Sequence, residues 1–166
     1  MEIWDLYDIN REKTEKKHVR GVPVPEGYYH LVVHVWIQND RGEVLLSKRH
    51  PDKPYGDLWE CAGGSVLAGE NSLEGAIREV KEELGLDLSD VKGELYFSGT
   101  CHVYHSDYWL FHTNPAIGEL TFQKEEVIDA KWVDKTTYKH MLQHNEIVPT
   151  IQHFWRQESR HNITLT

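Results

Sequence analysis

The sequence predicts an α+β domain in which a mixed β-sheet is flanked by helices. Extended runs rich in β-branched and aromatic residues dominate the middle of the chain, from "HLVVHVWIQ" (His30–Gln38) to "AKWVD" (Ala130–Asp134). One strongly amphipathic helix interrupts these runs and a helical tail follows them. At 166 residues the chain suffices for one full hydrophobic core and is short for two.

The elements follow in order. "EIWDLYD" alternates apolar and polar residues, and "INREKTEKKHVRG" supplies a polar turn and a second extended run, so residues 1–27 read as a hairpin appendage. "VPVPEG" (Val22–Gly27) breaks the chain, and the main domain is expected over residues 28–166, C-terminal helices included. After His30–Gln38, "NDRG" turns and "EVLLSKRH" returns as the hairpin partner. "PDKPYGD" is a loop, and "LWECA" a short strand leading into a turn at Gly63-Gly64.

The best helix comes next. Asn71 with Glu74 has the spacing of a capping box, and Gly85 suits the C-terminal stop. Leu73, Ile77, Val80 and Leu84 recur at spacings of four, three and four, one buried stripe. "ELYFSGTCHVYH" and "DYWLFHT" are strands, "NPAIGELTFQKEE" a loop and "AKWVD" a strand. The tail "TTYKHMLQHNEIVPTIQHFWRQ" reads as a helix, a break at Pro149 and a second helix.

Charge and composition restrict function. A formal net charge of −9 argues against broad nucleic-acid binding, yet admits a small phosphorylated substrate, because a divalent cation neutralises carboxylates and phosphates together. No run of 18 apolar residues predicts a membrane span, and the charged N-terminus lacks the apolar core of a secretory signal. Cytoplasmic localisation follows as an expectation, with Cys61 and Cys101 as reduced thiols.

The functional signal lies in "GGSVLAGENSLEGAIREVKEELGL" (Gly63–Leu86). At about 100° per residue, Glu79 and Glu83 stand one turn apart with Glu82 beside them, while Val80 and Leu84 face the core. Gly75 precedes them on the same face and leaves room for an approach to the helix. A solvated acidic face with Arg78 and Lys81 in weak ion pairs is the plain alternative. Yet Glu79 and Glu83 repel one another at i, i+4, and a structural helix gains nothing from that. A hard cation bridging the oxygens offsets the repulsion; Mg²⁺ favours few carboxylates, several waters and phosphate oxygens. Gly63-Gly64 adds a backbone that comes close with no Cβ in the way.

Written from Gly64, the stretch reads Gly64, five residues, Glu70, seven residues, then Arg78-Glu79-Val80-Lys81-Glu82-Glu83-Leu84-Gly85-Leu86. This resembles the full signature of the Nudix hydrolases, G-x5-E-x7-R-E-U-x-E-E-x-G-U with U apolar, and no position departs. With its surrounding strands the resemblance covers about Tyr29 to Asp134. It implies an α/β/α sandwich whose signature forms a loop–helix–loop holding Mg²⁺ or Mn²⁺, and hydrolysis of a diphosphate linkage by water. By the same resemblance Glu82 and Glu83 are the main metal ligands, and Glu79 is a ligand or the group that deprotonates water. Gly63 lends its carbonyl to the metal. Arg78 pairs with the signature carboxylates, Glu70 supports the loop, and Gly64 and Gly85 are structural. A further carboxylate is implied some six residues before a Trp-containing strand: Glu126 precedes Trp132 by that interval, with Glu125 its competitor.

The segment Tyr28–Gly64 also resembles the type I isopentenyl-diphosphate isomerases of the same fold, through His30 and Trp59. Counting onward from Trp59, the isomerase cysteine falls at Gly64, and Cys61 lies three positions early. Isomerase activity is therefore the alternative and hydrolysis the main expectation. His30 and His34 share one strand face as structural histidines, and Cys61 is a small buried strand residue. A third alternative is a sensor that binds a nucleotide without turning it over. The aromatics of the hairpin and of "HFWRQ" serve packing or a homodimer interface. Substrate selection is expected from loops outside the signature, with Lys48 and Arg49 meeting phosphate and Tyr55, Tyr104 or Trp109 stacking on a base.

Overall fold

The computed structural model describes residues 1–151. The hairpin forms as read: β1 (Ile3–Tyr7) pairs antiparallel with β2 (Lys13–Val19). Beyond it lie β3 (His30–Gln38), β4 (Val44–Arg49), β5 (Trp59–Glu60), β6 (Ala62–Ser65) and α1 (Ser72–Leu84). Then follow β7 (Gly93–Cys101), β8 (Tyr104–His112), β9 (Val127–Val133) and α2 (Lys135–Gln143). Short 3₁₀ turns at Ile117–Glu119 and Pro149–Ile151 complete the described chain, and the second C-terminal helix expected beyond Pro149 falls largely outside it.

The sheet is mixed. β3 runs parallel to β8 along its whole length and antiparallel to β6. The "NDRG" turn does reverse the chain, but β3 and β4 share only the pair Gln38–Val44 before they diverge. The expected hairpin partnership is therefore replaced: β4 takes its ladder from β9, six paired positions from Val44–Val133 to Arg49–Val127, with β5 on its other side. Apolar burial on both faces of β3 and β4 permits this splay, since each strand finds neighbours from distant parts of the chain.

Period two sorts the core into two halves. Leu31, Val33, Val35 and Ile37 of β3 join Leu45 and the α1 residues Ala76, Val80 and Leu84. Trp36, Val44 and Leu46 join Cys61 and the α2 residues Tyr138 and Met141. One helix thus covers each face, giving the α/β/α layering. Leu73 and Ile77 complete the expected stripe, half-buried against the α1 core.

The capping box is present: the Asn71 side chain accepts from Glu74 N–H, and the Glu74 carboxylate accepts from Asn71 N–H. Gly85 ends α1 in the left-handed region at φ 67°, where glycine carries no Cβ penalty. The last carbonyls are satisfied from outside, Thr121 N–H donating to Leu84 O and Gln123 N–H to Glu83 O. These bonds bring the loop before β9 against the end of α1.

The hairpin is joined tightly to the body. Ala68 N–H donates to Ile3 O, Gly69 N–H to the buried Asp5 carboxylate, and Trp4 stacks on His30 at 4.2 Å. Arg11 reaches the buried Asp107, which also accepts from Ser72 Oγ and Ser98 Oγ, both at 2.6 Å. Three donors around one buried carboxylate hold hairpin, helix start and sheet together.

Candidate active site

Gly63 and Gly64 lie inside β6, where a turn is expected from the sequence; the requirement for glycine is contact. A Cβ on Gly63 would sit 2.2 Å from Val33 O of the paired strand, and one on Gly64 2.5 Å from the Glu79 carboxyl. The backbone of β6 therefore passes directly under the glutamate face of α1. Gly75 serves a different contact from the one expected: its Cβ would meet Val66 at 2.9 Å, so the space on that face is filled by core.

The three glutamates line one cavity of about 240 Å³, with Gly63, Gly64 and Ser65 of β6 as its floor. Arg78 organises this wall. Its Nε and Nη2 grip Glu70 at 2.7 and 3.1 Å, Nη2 also donates to Ser65 O, and Nη1 reaches Glu79 at 2.9 Å and Glu82 at 3.1 Å. Glu70 in turn accepts from Leu67 N–H. The loop Val66–Asn71 is thus pinned to α1 through one guanidinium.

Glu83 is buried at 8% exposure and accepts from Gly63 N–H at 3.3 Å. Burial, with Glu60 and Glu79 nearby, pushes its carboxyl well above the ordinary range. Burial likewise raises Glu79, with Arg78 opposing. Glu60, a residue the sequence did not single out, is raised by burial although Arg49 Nη1 contacts both of its oxygens, at 2.6 and 2.8 Å. Buried carboxylates favour a proton or a cation and offer hard oxygen donors, although no three His, Cys, Asp or Glu side chains among the described residues are grouped so as to hold a metal ion as they stand.

Glu126 joins the same cavity, and Glu125 does not. The loop docked on the end of α1 carries it there; His50 N–H donates to Glu126 O, and Lys53 pairs with its carboxylate. Arg49 and Lys53 add cationic lining, burial and the neighbouring Arg49 lowering Lys53 from its usual value. Lys48 instead pairs with Asp57, and Tyr55 is an exposed loop residue; neither lines the cavity. Nor do Tyr104 and Trp109: Tyr104 stands edge-on to His30, and Trp109 donates to Ser72 Oγ.

The groups an isomerase would use are elsewhere. Cys61 is buried in the α2-side core with its thiol raised well above normal by burial, and His30 is stacked on Trp4 with Tyr104 edge-on to it. Lys53 and Gln123 came from loops expected to select substrate. Glu2 and Arg20 did not: they belong to the hairpin, where nothing in the sequence marks them, yet both line the cavity.

Comparison with known proteins agrees with this geometry. The NUDIX domain family matches residues 28–154. A Nudix hydrolase of Listeria innocua, itself uncharacterized, is 42% identical over 153 residues, covering 90% of this chain and 89% of that protein. Its Listeria monocytogenes counterpart matches to the same extent. The crystal structure of DR0079 from Deinococcus radiodurans superposes with a TM-score of 0.79, over 94% of this chain and 98% of that one, at 18% identity, a likeness of fold. With an intact signature helix, a glycine strand beneath it and relatives that align almost end to end, the chain belongs to the Nudix family and is a pyrophosphohydrolase.

Proposed function

We propose that the protein hydrolyses a diphosphate linkage in a small phosphorylated compound, a nucleoside diphosphate linked to another group or a related diphosphate, in a Mg²⁺-dependent reaction. The observation that carries this reading is the convergence of Glu79, Glu82, Glu83 and Glu126 on one cavity that also holds Arg49 and Lys53. A wall of oxygen donors beside a pair of cations suits a metal-bound polyphosphate, and Val32 is the one apolar side chain among the described lining residues.

Glu82, Glu83 and Glu126, with the Gly63 carbonyl, would hold Mg²⁺ or Mn²⁺. When bound, the ion neutralises phosphate charge and lowers the pKa of the attacking water. Glu79 has a burial-raised proton affinity beside Arg78, which suits a carboxylate that takes a proton from water. Arg78 fixes the Glu79 and Glu82 carboxylates in place. Arg49 and Lys53 orient the anion, Arg49 itself being held by Glu60 and Pro54 O.

The isomerase-like branch rests on the resemblance around Tyr28–Gly64, and no thiol is among the described residues that line this cavity. The deciding experiment measures phosphate release with Mg²⁺ and with chelator. Its panel covers nucleoside diphosphate derivatives, triphosphates and isopentenyl diphosphate, the last also assayed for its dimethylallyl isomer. Metal-dependent hydrolysis lost in Glu82→Gln and Glu83→Gln supports the reading; near-normal turnover in both variants, or isomer without hydrolysis, overturns it.

A further inference from the structure

The N-terminal hairpin extends into the cavity wall. Arg20 directly follows β2 and Glu2 directly precedes β1, so the open end of the hairpin places both residues at the rim. Their side chains pair at 2.7 Å while remaining 60% and 41% exposed. Such a pair adds little stability. The hairpin end is also already closed by the backbone, Arg20 N–H donating to Glu2 O at 3.1 Å. The body fixes its position through Ala68 with Ile3 and Gly69 with Asp5, both on the loop that leads into α1.

The other cations of the cavity are engaged more deeply. Arg49 is clasped by Glu60 with only 18% of its side chain exposed, and Lys53 is paired with Glu126. Arg20 is the exposed cation among the described lining residues, and its carboxylate partner is exposed as well. A phosphate offers the planar guanidinium the same two-oxygen acceptor as Glu2 does, with more charge.

We propose that Arg20 is a phosphate-binding residue of the diphosphate site. It leaves Glu2 and binds a phosphate of the incoming substrate at the rim, and Glu2 holds the guanidinium in position until then. This rests on the hydrolase reading above. It assigns substrate recognition to a segment outside the family-matched residues 28–154.

The test compares Arg20→Gln, Arg20→Lys and Glu2→Gln with the unaltered protein. Two measurements are made: KM and kcat on the active compound of the panel, and calorimetric binding of methylenediphosphonate, which is not hydrolysed, in Mg²⁺. Losing one charge-assisted phosphate contact should raise KM and weaken methylenediphosphonate binding about tenfold in Arg20→Gln. Turnover number should stay within about twofold, and Arg20→Lys should recover part of the loss. Glu2→Gln removes the competitor and should shift both quantities the opposite way. Equal shifts in the same direction for Arg20→Gln and Glu2→Gln, with matching losses of Tm, would show a pair that only supports the hairpin and overturn the proposal. Unchanged binding in Arg20→Gln, or no binding by the unaltered protein, overturns it as well. Because binding is read without turnover, an inactive panel counts against the hydrolase reading and leaves this measurement decisive.

Discussion

Glu83→Gln tests the physical basis of the site more directly than any other change. The carboxyl is buried, and burial with Glu60 and Glu79 nearby raises it well above the ordinary glutamate value of 4.5. Above pH 4.5 the folded, metal-free chain therefore retains a proton that the unfolded chain has lost. The unfolded state then binds fewer protons, and stability falls as pH rises until the folded carboxyl itself ionises. Each pH unit of that interval costs about 1.4 kcal/mol. At this chain length that corresponds to about 3–6 °C of Tm. Glutamine keeps an acceptor for Gly63 N–H and never ionises. In chelator, Glu83→Gln should match the unaltered protein near pH 4.5 and melt higher than it at pH 8. In Mg²⁺ the order should reverse, since only the carboxylate gains from the ion, and hydrolysis should fall by at least about a hundredfold. Thermal unfolding followed by circular dichroism across pH 4.5–8, with and without Mg²⁺, reads all of this. Equal pH profiles in chelator, or a variant less stable throughout, would refute the claim that this carboxyl is held at a cost.

Other outcomes follow from single contacts. Gly64→Ala should depress turnover at least about tenfold with a Tm loss of only a few degrees, because the clashing atoms are the movable end of Glu79; Gly63→Ala meets backbone and should cost about 1–3 kcal/mol in urea unfolding. Arg78→Lys forfeits the two-pronged grip on Glu70 and should lose both activity and about 1–3 kcal/mol of stability, measured side by side. His30 and His34 are each lowered by burial to about 4. Their stabilising contribution is complete above pH 6.5 and is lost as pH falls toward 4, so His34→Phe should flatten the acid limb of a Tm–pH profile.

What the sequence made legible was local. The cap at Asn71, the stop at Gly85, the stripe of Val80 and Leu84, and the shared face of Glu79, Glu82 and Glu83 all depend on neighbours within one or two turns. Pairing with distant strands was not legible. The preference of β4 for β9 over β3 joins residues some ninety positions apart, such as Val44 and Val133, and no turn signal encodes it. Glycine was legible as a close approach but not in its partners: Gly63 and Gly64 answer to Val33 O and Glu79, and both contacts exist only once β6 lies between β3 and α1. The hairpin was visible, but its role was hidden. Nothing in the sequence pattern marks Arg11, Asp107, Glu2 or Arg20 among the other charges, and only the docked hairpin gives them these partners.

The surroundings of the glutamates explain how a fold tolerates such a cluster. Glu83 and Glu79 are carboxyls placed against their electrostatic preference, so α1 must be held by forces independent of them. The holding elements are all nearby: a reciprocal cap at its start, Ala76, Val80 and Leu84 in the core, and donors from Thr121 and Gln123 on its last carbonyls. Those same donors anchor the loop bearing Glu126, and the Arg78 contact with Glu70 anchors the loop beside β1. The bonds that stabilise the helix therefore also deliver the other walls of the cavity. An unfavourable cluster is kept at fixed geometry by favourable contacts around it, and on the proposed reading a divalent cation is the ligand whose binding that arrangement would reward.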